Sequence, residues 1–548
     1  MSTLKGKPAG AVAAEPDHDL VVVDEFDALA IELKKTRPTA GASLSAKLPM
    51  VCSDTNEKYP AKLHARKVAK HLGVDNGLIY LPGLPTQTYE DSDQAPVFRQ
   101  RRYFYYLSGA NFEDCAVTYD IAKDRLVLWI PWLEPRQVLY LGSVPTPNEC
   151  KDAIDIDDVC YVKSLDKFLK LVLGPSLPLY VLHEKQIPQL ENLRRPIRID
   201  TSKLQPAMDL ARVVKTDYEV SMIRKANEIS SAAHRIVLSR IKDLTNEREI
   251  EAIFTGYCLA HGAKRQAYPV IAGSGPNAAT LHYDANDQPL EGRQLVCLDA
   301  SAEWGLYASD ITRTFPISGR FSPEAKAVYA VVERMQRECI ERVRPGVPYY
   351  TLHLHAMLVA VVELLRLGVL RGGSARDIVA QGTGAAFFPH GLGHHIGLET
   401  HDVAGRERLL LCAEERGTAG RAGKREWMSP RANASLVRDA MTVPLPYRGR
   451  QVLEENMVVT IEPGMDFFSD REENAKKKNS YFCREYIEGF FLSDPAHAKY
   501  INRELLEKYY PVGGVRIEDC ILVTKDGYED LTSAPKGEEA LRIINGKE

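Results

Sequence analysis

The sequence predicts an α/β domain followed by a larger α+β domain. Three observations predict it. The chain has 548 residues, well beyond the size at which single hydrophobic cores stop growing. Strand-like apolar runs alternate with helical stretches as far as about residue 200, the pattern of an α/β layer. Near Leu204 the pattern changes to long amphipathic helices interleaved with isolated apolar strands.

Each element follows in order. Residues 1–20 are rich in Ala, Gly, Lys and Pro and are expected to form a mobile tail. Residues 21–204 make the first domain, with a helix near 55–72 and then the short strand GLIYLPG. FRQRRYFYYLSG, AVTYDI, RLVLWIPWL and LPLYVLH read as further strands with turn signals between them. Residues 205–548 make the second domain. Thr216 and Glu219 have the S/T-x-x-E spacing of a capping box. Val220, Ile223, Ala226, Ile229, Ala233, Ile236 and Val237 then form one apolar stripe at helical spacing. Segments 403–446, with ERGTAGRAGKRE, and 466–510, with REENAKKKNS, read as solvated insertions or loops.

Composition narrows the function classes. Hydrophobic residues make up 45% and charged residues 26% of the chain, an ordinary globular balance. The net charge of −4 gives no electrostatic case for nucleic acid or an anionic membrane. Apolar runs such as Ala356 to Val362 are too short to span a bilayer. The N-terminal stretch lacks the apolar core of a secretory signal. The ten cysteines are scattered and form no CxxC pair, which reads as buried, reduced thiols and a cytoplasmic chain.

The chemistry concentrates in four places. Asp299 ends the apolar strand QLVCLDA, and Asp310 follows eleven residues later in LYASDITRTF. A hairpin between them would bring both carboxylates together, although aspartates at strand ends are more often turn residues. PHGLGHHIGLETHD holds His390, His394, His395 and His401, four of the chain's 14 histidines. Gly391, Gly393 and Gly397 among them let the backbone pack closely. Glu462 follows the strand NMVVTI, and Glu518 lies in GGVRIEDCILVT, where burying an unpaired carboxylate is costly. A set of Asp, Asp, His, Glu and Glu suits Mn²⁺, Co²⁺ or Zn²⁺. Four carboxylates repel one another unless two divalent cations neutralise them, and two such cations form a hydrolytic centre.

The motif order D-x10-D, HGLGHHIGL-x-x-H, TIEPG and GVRIED resembles the prolidase, aminopeptidase P and methionine aminopeptidase group, whose catalytic domain is the pita-bread fold. DSDQAPVFRQRRYFYYLSG is similar to the smaller domain of aminopeptidase P and prolidase, which methionine aminopeptidases lack. FFLSDPAHAKYINRELLEKYYPVGGVRIED is similar to fungal Xaa-Pro aminopeptidases and prolidases. The resemblance implies an α/β aminopeptidase P-like domain before an α+β pita-bread domain. It implies two divalent metals, Mn²⁺ first, with Asp299 on one, Asp310 and Glu518 bridging, and His394 and Glu462 completing the second. His282 would support the tetrahedral intermediate, His401 would be the second active-site histidine, and Arg516 would orient the site. Tyr268 and Arg448 would contact substrate, the latter gripping a carboxylate as in prolidases, with Arg450 close by. His390 and His395 would support the ligands or pack behind them. The implied reaction is hydrolysis of an N-terminal Xaa-Pro bond, on peptides of varied length by a homodimer. A prolidase restricted to dipeptides, or a non-catalytic binding protein on the same fold, are the alternatives.

Overall fold

The computed structural model describes residues 57–134, 136, 138–139, 142–191, 195–404, 409–410, 450–467 and 486–547. Helix α1 (Ala61–Leu72) buries Ala61, Ala65, Val68 and Leu72 along one face and stops at Gly73, whose φ of 67° ends the helix. Strands β1 (Leu78–Pro82), β2 (Ala116–Asp120), β3 (Arg125–Ile130), β4 (Asp158–Tyr161), β5 (Leu179–Tyr180) and β6 (Ile199–Asp200) form a mixed sheet ordered β4-β3-β2-β1-β5-β6. Their side chains alternate by face. Ile79, Leu81, Val117, Tyr119, Leu126 and Leu128 point into the core shared with α1. Leu78, Tyr80, Ala116, Val127 and Trp129 point into the opposite core.

One element differs from its sequence reading. The aromatic run in FRQRRYFYYLSG is a helix, α2 (Arg102–Ser108), not a strand. Phe104, Tyr105, Tyr106 and Leu107 are all buried. The unbroken apolar run therefore records burial on every side of a short helix, which periodicity cannot tell from a buried strand. Gly109, at φ 65°, ends it. Helices α3 (Pro147–Ala153) and α4 (Leu165–Val172) also belong to this region.

Helix α5 (Leu204–Val213) places Leu204, Ala207, Met208 and Ala211 in the same core as α1, and Tyr106 donates its hydroxyl to Ala211 O at 2.9 Å. Helix α6 (Asp217–Arg240) opens on the Thr216–Glu219 capping box. After it come α7 (Glu247–Ala260), β7 (Arg265–Gln266), β8 (Ile271–Ser274), β9 (Leu295–Asp299), β10 (Ala302–Trp304), β11 (Tyr307–Ala308) and β12 (Thr312–Pro316). Then follow α8 (Pro323–Ile340), α9 (Tyr349–Arg366), α10 (Ala375–Gln381), β13 (Val458–Ile461) and β14 (Gly464–Asp466). The chain ends with α11 (Pro495–Ala498), α12 (Arg503–Tyr509), β15 (Gly514–Arg516), β16 (Asp519–Val523), β17 (Tyr528–Asp530) and α13 (Gly537–Ile544). The strands lie between two helical layers. Ile229, Phe254, Val296, Leu298 and Ile543 pack on the α6–α7–α13 side. Val332, Met335, Ala360, Val459 and Ile461 pack on the α8–α9 side.

The second difference lies in 466–510. REENAKKKNS falls outside the described residues, but Ile487, Phe491, Ile501 and Leu506 are fully buried against α8 and α9. A π-helical turn (Ile487–Phe491) carries Ile487 and Phe491, α12 carries Leu506, and Ile501 lies between α11 and α12 in a bridge to Leu370. The charge run masked an apolar segment with its own packing. Of the 403–446 insertion, only 403–404 and 409–410 are described. Cys115, Cys150, Cys258, Cys297, Cys339 and Cys520 are buried and form no disulfide. Among the described residues, no helix is long and apolar enough to cross a membrane.

Candidate active site

Strand pairing brings the distant motifs together. β9 and β12 pair antiparallel with Thr312 opposite Asp299. Between them the β10–β11 hairpin turns on Gly305 and Leu306, both with positive φ, 57° and 67°. Asp310 thereby returns beside Asp299. β13 and β16 pair with Ile461 opposite Asp519, so Glu462 and Glu518, each one residue beyond, fall together. A bridge joins Thr312 to Glu518, and another joins His395 to Val459.

The five expected donors converge. One ligand atom each from Asp310, His394 and Glu518 lies within 4.8 Å of the others. His394 Nε2 stands 3.3 Å from Asp310 Oδ2 and 3.3 Å from Glu462 Oε1. Tyr268 donates its hydroxyl to Asp299 Oδ1 at 2.5 Å and is 2.6 Å from Asp310 Oδ1, tying these two carboxylates. Arg516 Nη2 donates to Asp299 Oδ2 at 2.6 Å, and its Nε donates to Thr312 Oγ1 at 3.2 Å. Thr312 in turn donates to Glu518 Oε2 at 2.7 Å.

The electrostatics of this cluster ask for cations. Burial, with Asp310 and Glu462 beside it, pushes the Glu518 carboxyl well above its ordinary range. Burial also raises Glu462, to about 7 despite His394. Burial opposes charge on His394, yet Asp310 and Glu462 raise it to about 9. Glu518 Oε1 is buried with no hydrogen-bond partner. An orphaned carboxylate oxygen beside three further carboxylates and one imidazole fits hard or borderline divalent cations.

The remaining expected residues surround the cluster. His282, His390 and His401 line a cavity of ≈ 1170 Å³ that also exposes Tyr268, Asp299, Asp310, His394, Glu462, Arg516 and Glu518. The His401 ring meets His394 edge-on, with centroids 4.3 Å apart. Its edge is open to the cavity, yet the surrounding walls and His394 lower its pKa to about 4, so it is neutral near pH 7. His395 is buried and bonded to Gln451. His390 forms cavity wall in its own right, with Nδ1 2.8 Å from Gly391 O. Arg448 lies outside the described residues. Arg450 is buried and stacks over Tyr350 at 4.1 Å.

Two threonines that sequence reasoning passed over hydrogen-bond to the candidate ligands. Besides Thr312, Thr460 Oγ1 accepts from His394 N at 3.0 Å and donates to Glu462 Oε1 at 3.3 Å. Its place in TIEPG, two residues before Glu462, was the available signal, because alternate strand residues share a face.

Residues 221–525 match the model of metallopeptidase family M24. The chain belongs to this family. Residues 62–180 match the aminopeptidase P N-terminal domain, which places this M24 metallopeptidase in the aminopeptidase P group and its catalytic domain in the pita-bread fold. It is 56% identical to a probable Xaa-Pro aminopeptidase of Colletotrichum graminicola over 97% of this chain and 99% of that protein. It is 53% identical to another from Metarhizium acridum over 96% of this chain and 99% of that protein. Zinc-substituted aminopeptidase P of E. coli in complex with product superposes at a TM-score of 0.67 and 22% identity, over 90% of this chain and 100% of that one. At that identity the likeness concerns the fold.

Proposed function

We propose that this M24 metallopeptidase removes the N-terminal residue from peptides with proline in second position, using two divalent cations, Mn²⁺ first. The observation that carries the reading is the convergence of Asp310, His394, Glu462 and Glu518 with Glu518 Oε1 unsatisfied. The names of the relatives, probable Xaa-Pro aminopeptidase, support the substrate class. Asp299, Asp310, His394, Glu462 and Glu518 would hold the cations. Bound there, the pair would supply Lewis acidity toward the scissile carbonyl and acidify the attacking water.

The chain's own groups do the rest. Glu462 takes the proton of the attacking water as general base and returns it to the proline nitrogen. His282, on the cavity wall, donates to the developing oxyanion. His401 holds the backbone of the first residue. Arg516 fixes Asp299 through its 2.6 Å bond, and Tyr268 holds the same carboxylate from the other side. Proline supplies no N–H on the leaving side, so the ring is selected by shape. A cytoplasmic setting is supported by the lack of disulfides among the described cysteines.

The test compares Ala-Pro-Phe with Ala-Ala-Phe after loading with Mn²⁺, following release of alanine. Cleavage restricted to the proline peptide, abolished by EDTA, is expected. Equal cleavage of both peptides, or none of either, overturns the proposal.

A further inference from the structure

The cavity is larger than its ligand end requires. At ≈ 1170 Å³ it exceeds the range of about 300–1,000 Å³ that suits drug-sized ligands, and a dipeptide is smaller than those. Its two ends differ in chemistry. Around His282 the wall carries Asp284, together with Glu399, which Arg99 and Arg102 pair. Beyond His390 it reaches α9 and is formed by Tyr350, His353, Met357, Phe388, Leu410 and Tyr486, with no carboxylate among the described lining residues there. A free ammonium is costly to place against such apolar walls and is suited by the end that carries Asp284. A bound peptide therefore runs from its N-terminus near His282 toward α9.

His353 faces that second end with a nitrogen to offer, beside the Tyr350 and Tyr486 rings. It is 9% exposed, and its ring lies 5.3 Å from that of Phe388 and 5.7 Å from that of Tyr350. Its Nδ1 is buried without a partner, so Nε2 is the nitrogen left open toward the cavity. Burial lowers the imidazole to about 4, so near pH 7 the ring is neutral and carries one N–H.

We propose that the end of the cavity at α9 is the subsite for the residue that follows proline. It takes an apolar side chain, and His353 donates from Nε2 to a main-chain carboxyl or carbonyl oxygen of that residue. This inference rests on the Xaa-Pro reading and extends it to the peptide beyond the proline.

The experiment measures kcat/KM for Ala-Pro, Ala-Pro-Phe and Ala-Pro-Asp, and the affinity of the product Pro-Phe as a competitor. It uses the wild type, His353→Leu and His353→Gln, all loaded with Mn²⁺. The wild type is expected to prefer Phe over Asp in third position. His353→Leu is expected to lower kcat/KM for Ala-Pro-Phe about tenfold, mainly through KM, and to weaken Pro-Phe by about the same factor. It should leave Ala-Pro within about twofold, and His353→Gln should recover most of the loss. Equal losses on Ala-Pro and Ala-Pro-Phe, or no loss on either, overturn the subsite while the Xaa-Pro reading stands. A wild type that leaves all three substrates intact overturns the Xaa-Pro reading and this one with it.

Discussion

Glu518 shows how a residue can be costly to the empty fold and necessary to the loaded one. It is 2% exposed, among Asp310, Glu462 and Asp299, with one oxygen unpaired. A buried carboxyl among other carboxylates costs the fold free energy whether it stays charged or takes up a proton, and an amide of the same shape avoids that cost. Glu518→Gln is therefore expected to melt at or above the wild type in EDTA and below it with saturating Mn²⁺, with fewer metals per chain by elemental analysis. A variant that melts below the wild type in both conditions would assign Glu518 a purely structural role. Thr460 makes a second test. Thr460→Val keeps the shape and removes the hydroxyl that links His394 N to Glu462 Oε1. A turnover loss of about tenfold with metal content retained is expected, and Thr460→Ser should restore it. Loss of metal in step with turnover would instead show that the hydroxyl is needed to keep the cations bound. The five candidate ligands were legible because chemistry restricts such positions to carboxylate and imidazole in recognisable motifs. Thr312, Thr460 and His353 were not, since a threonine in a strand or a histidine in a helix has a commonplace alternative, and only the fold reveals what each one touches.

At the scale of elements, the site depends on loop and strand backbones that approach unusually closely. Gly393 illustrates this. A Cβ built there would lie 2.2 Å from Thr460 O, 2.3 Å from the Tyr349 hydroxyl and 2.6 Å from Thr460 Oγ1. Tyr349 is fixed by its own 2.7 Å bond to Thr460 O, so nothing nearby can yield cheaply. Gly393→Ala is expected to cost about 1–3 kcal/mol, the range for overpacking, and to lower metal affinity by displacing His394. Thermal unfolding and metal titration check it, and wild-type values in both would mean that the segment relaxes freely. The strand-borne motifs were readable for a related reason. QLVCLD and NMVVTI are short apolar runs ending in a carboxylate, and β9 and β13 lie where those runs stand. The run YFYYL was not, because a seven-residue helix buried all round gives the same continuous signal as a buried strand. The segment after REENAKKKNS was hidden by its charged neighbour. Composition averaged over 466–510 concealed Ile487 and Phe491.

At the scale of the whole molecule, the residue that closes the capping box of α6 also links the two halves of the described chain. Glu219 Oε2 accepts from Thr216 N at 2.8 Å and lies 3.5 Å from His64 Nε2 on α1, while Tyr307 on β11 stands 3.4 Å from its other oxygen. The aminopeptidase P-like region and the catalytic region thus share one buried carboxylate. Burial alone would raise its pKa. The charge of the nearby His64, and then Lys67 and Lys215, outweigh that and bring it from 4.5 down to about 2. A carboxyl whose pKa is lower in the folded state binds its proton more weakly there, so folding is favoured while it is ionised. The contribution is complete above about pH 4.5 and is lost as the pH falls toward 2, and over that difference it is worth roughly 3 kcal/mol. Glu219→Gln retains the geometry of the cap and removes the charge. With metal removed by EDTA, so that site titration does not intrude, the midpoint of thermal unfolding of Glu219→Gln should fall below that of the wild type by its widest margin between pH 5 and 7. The two curves should draw together by pH 3. A gap of constant width across that range would show that the side chain stabilises the junction through its shape and hydrogen bonds, with its ionisation contributing nothing.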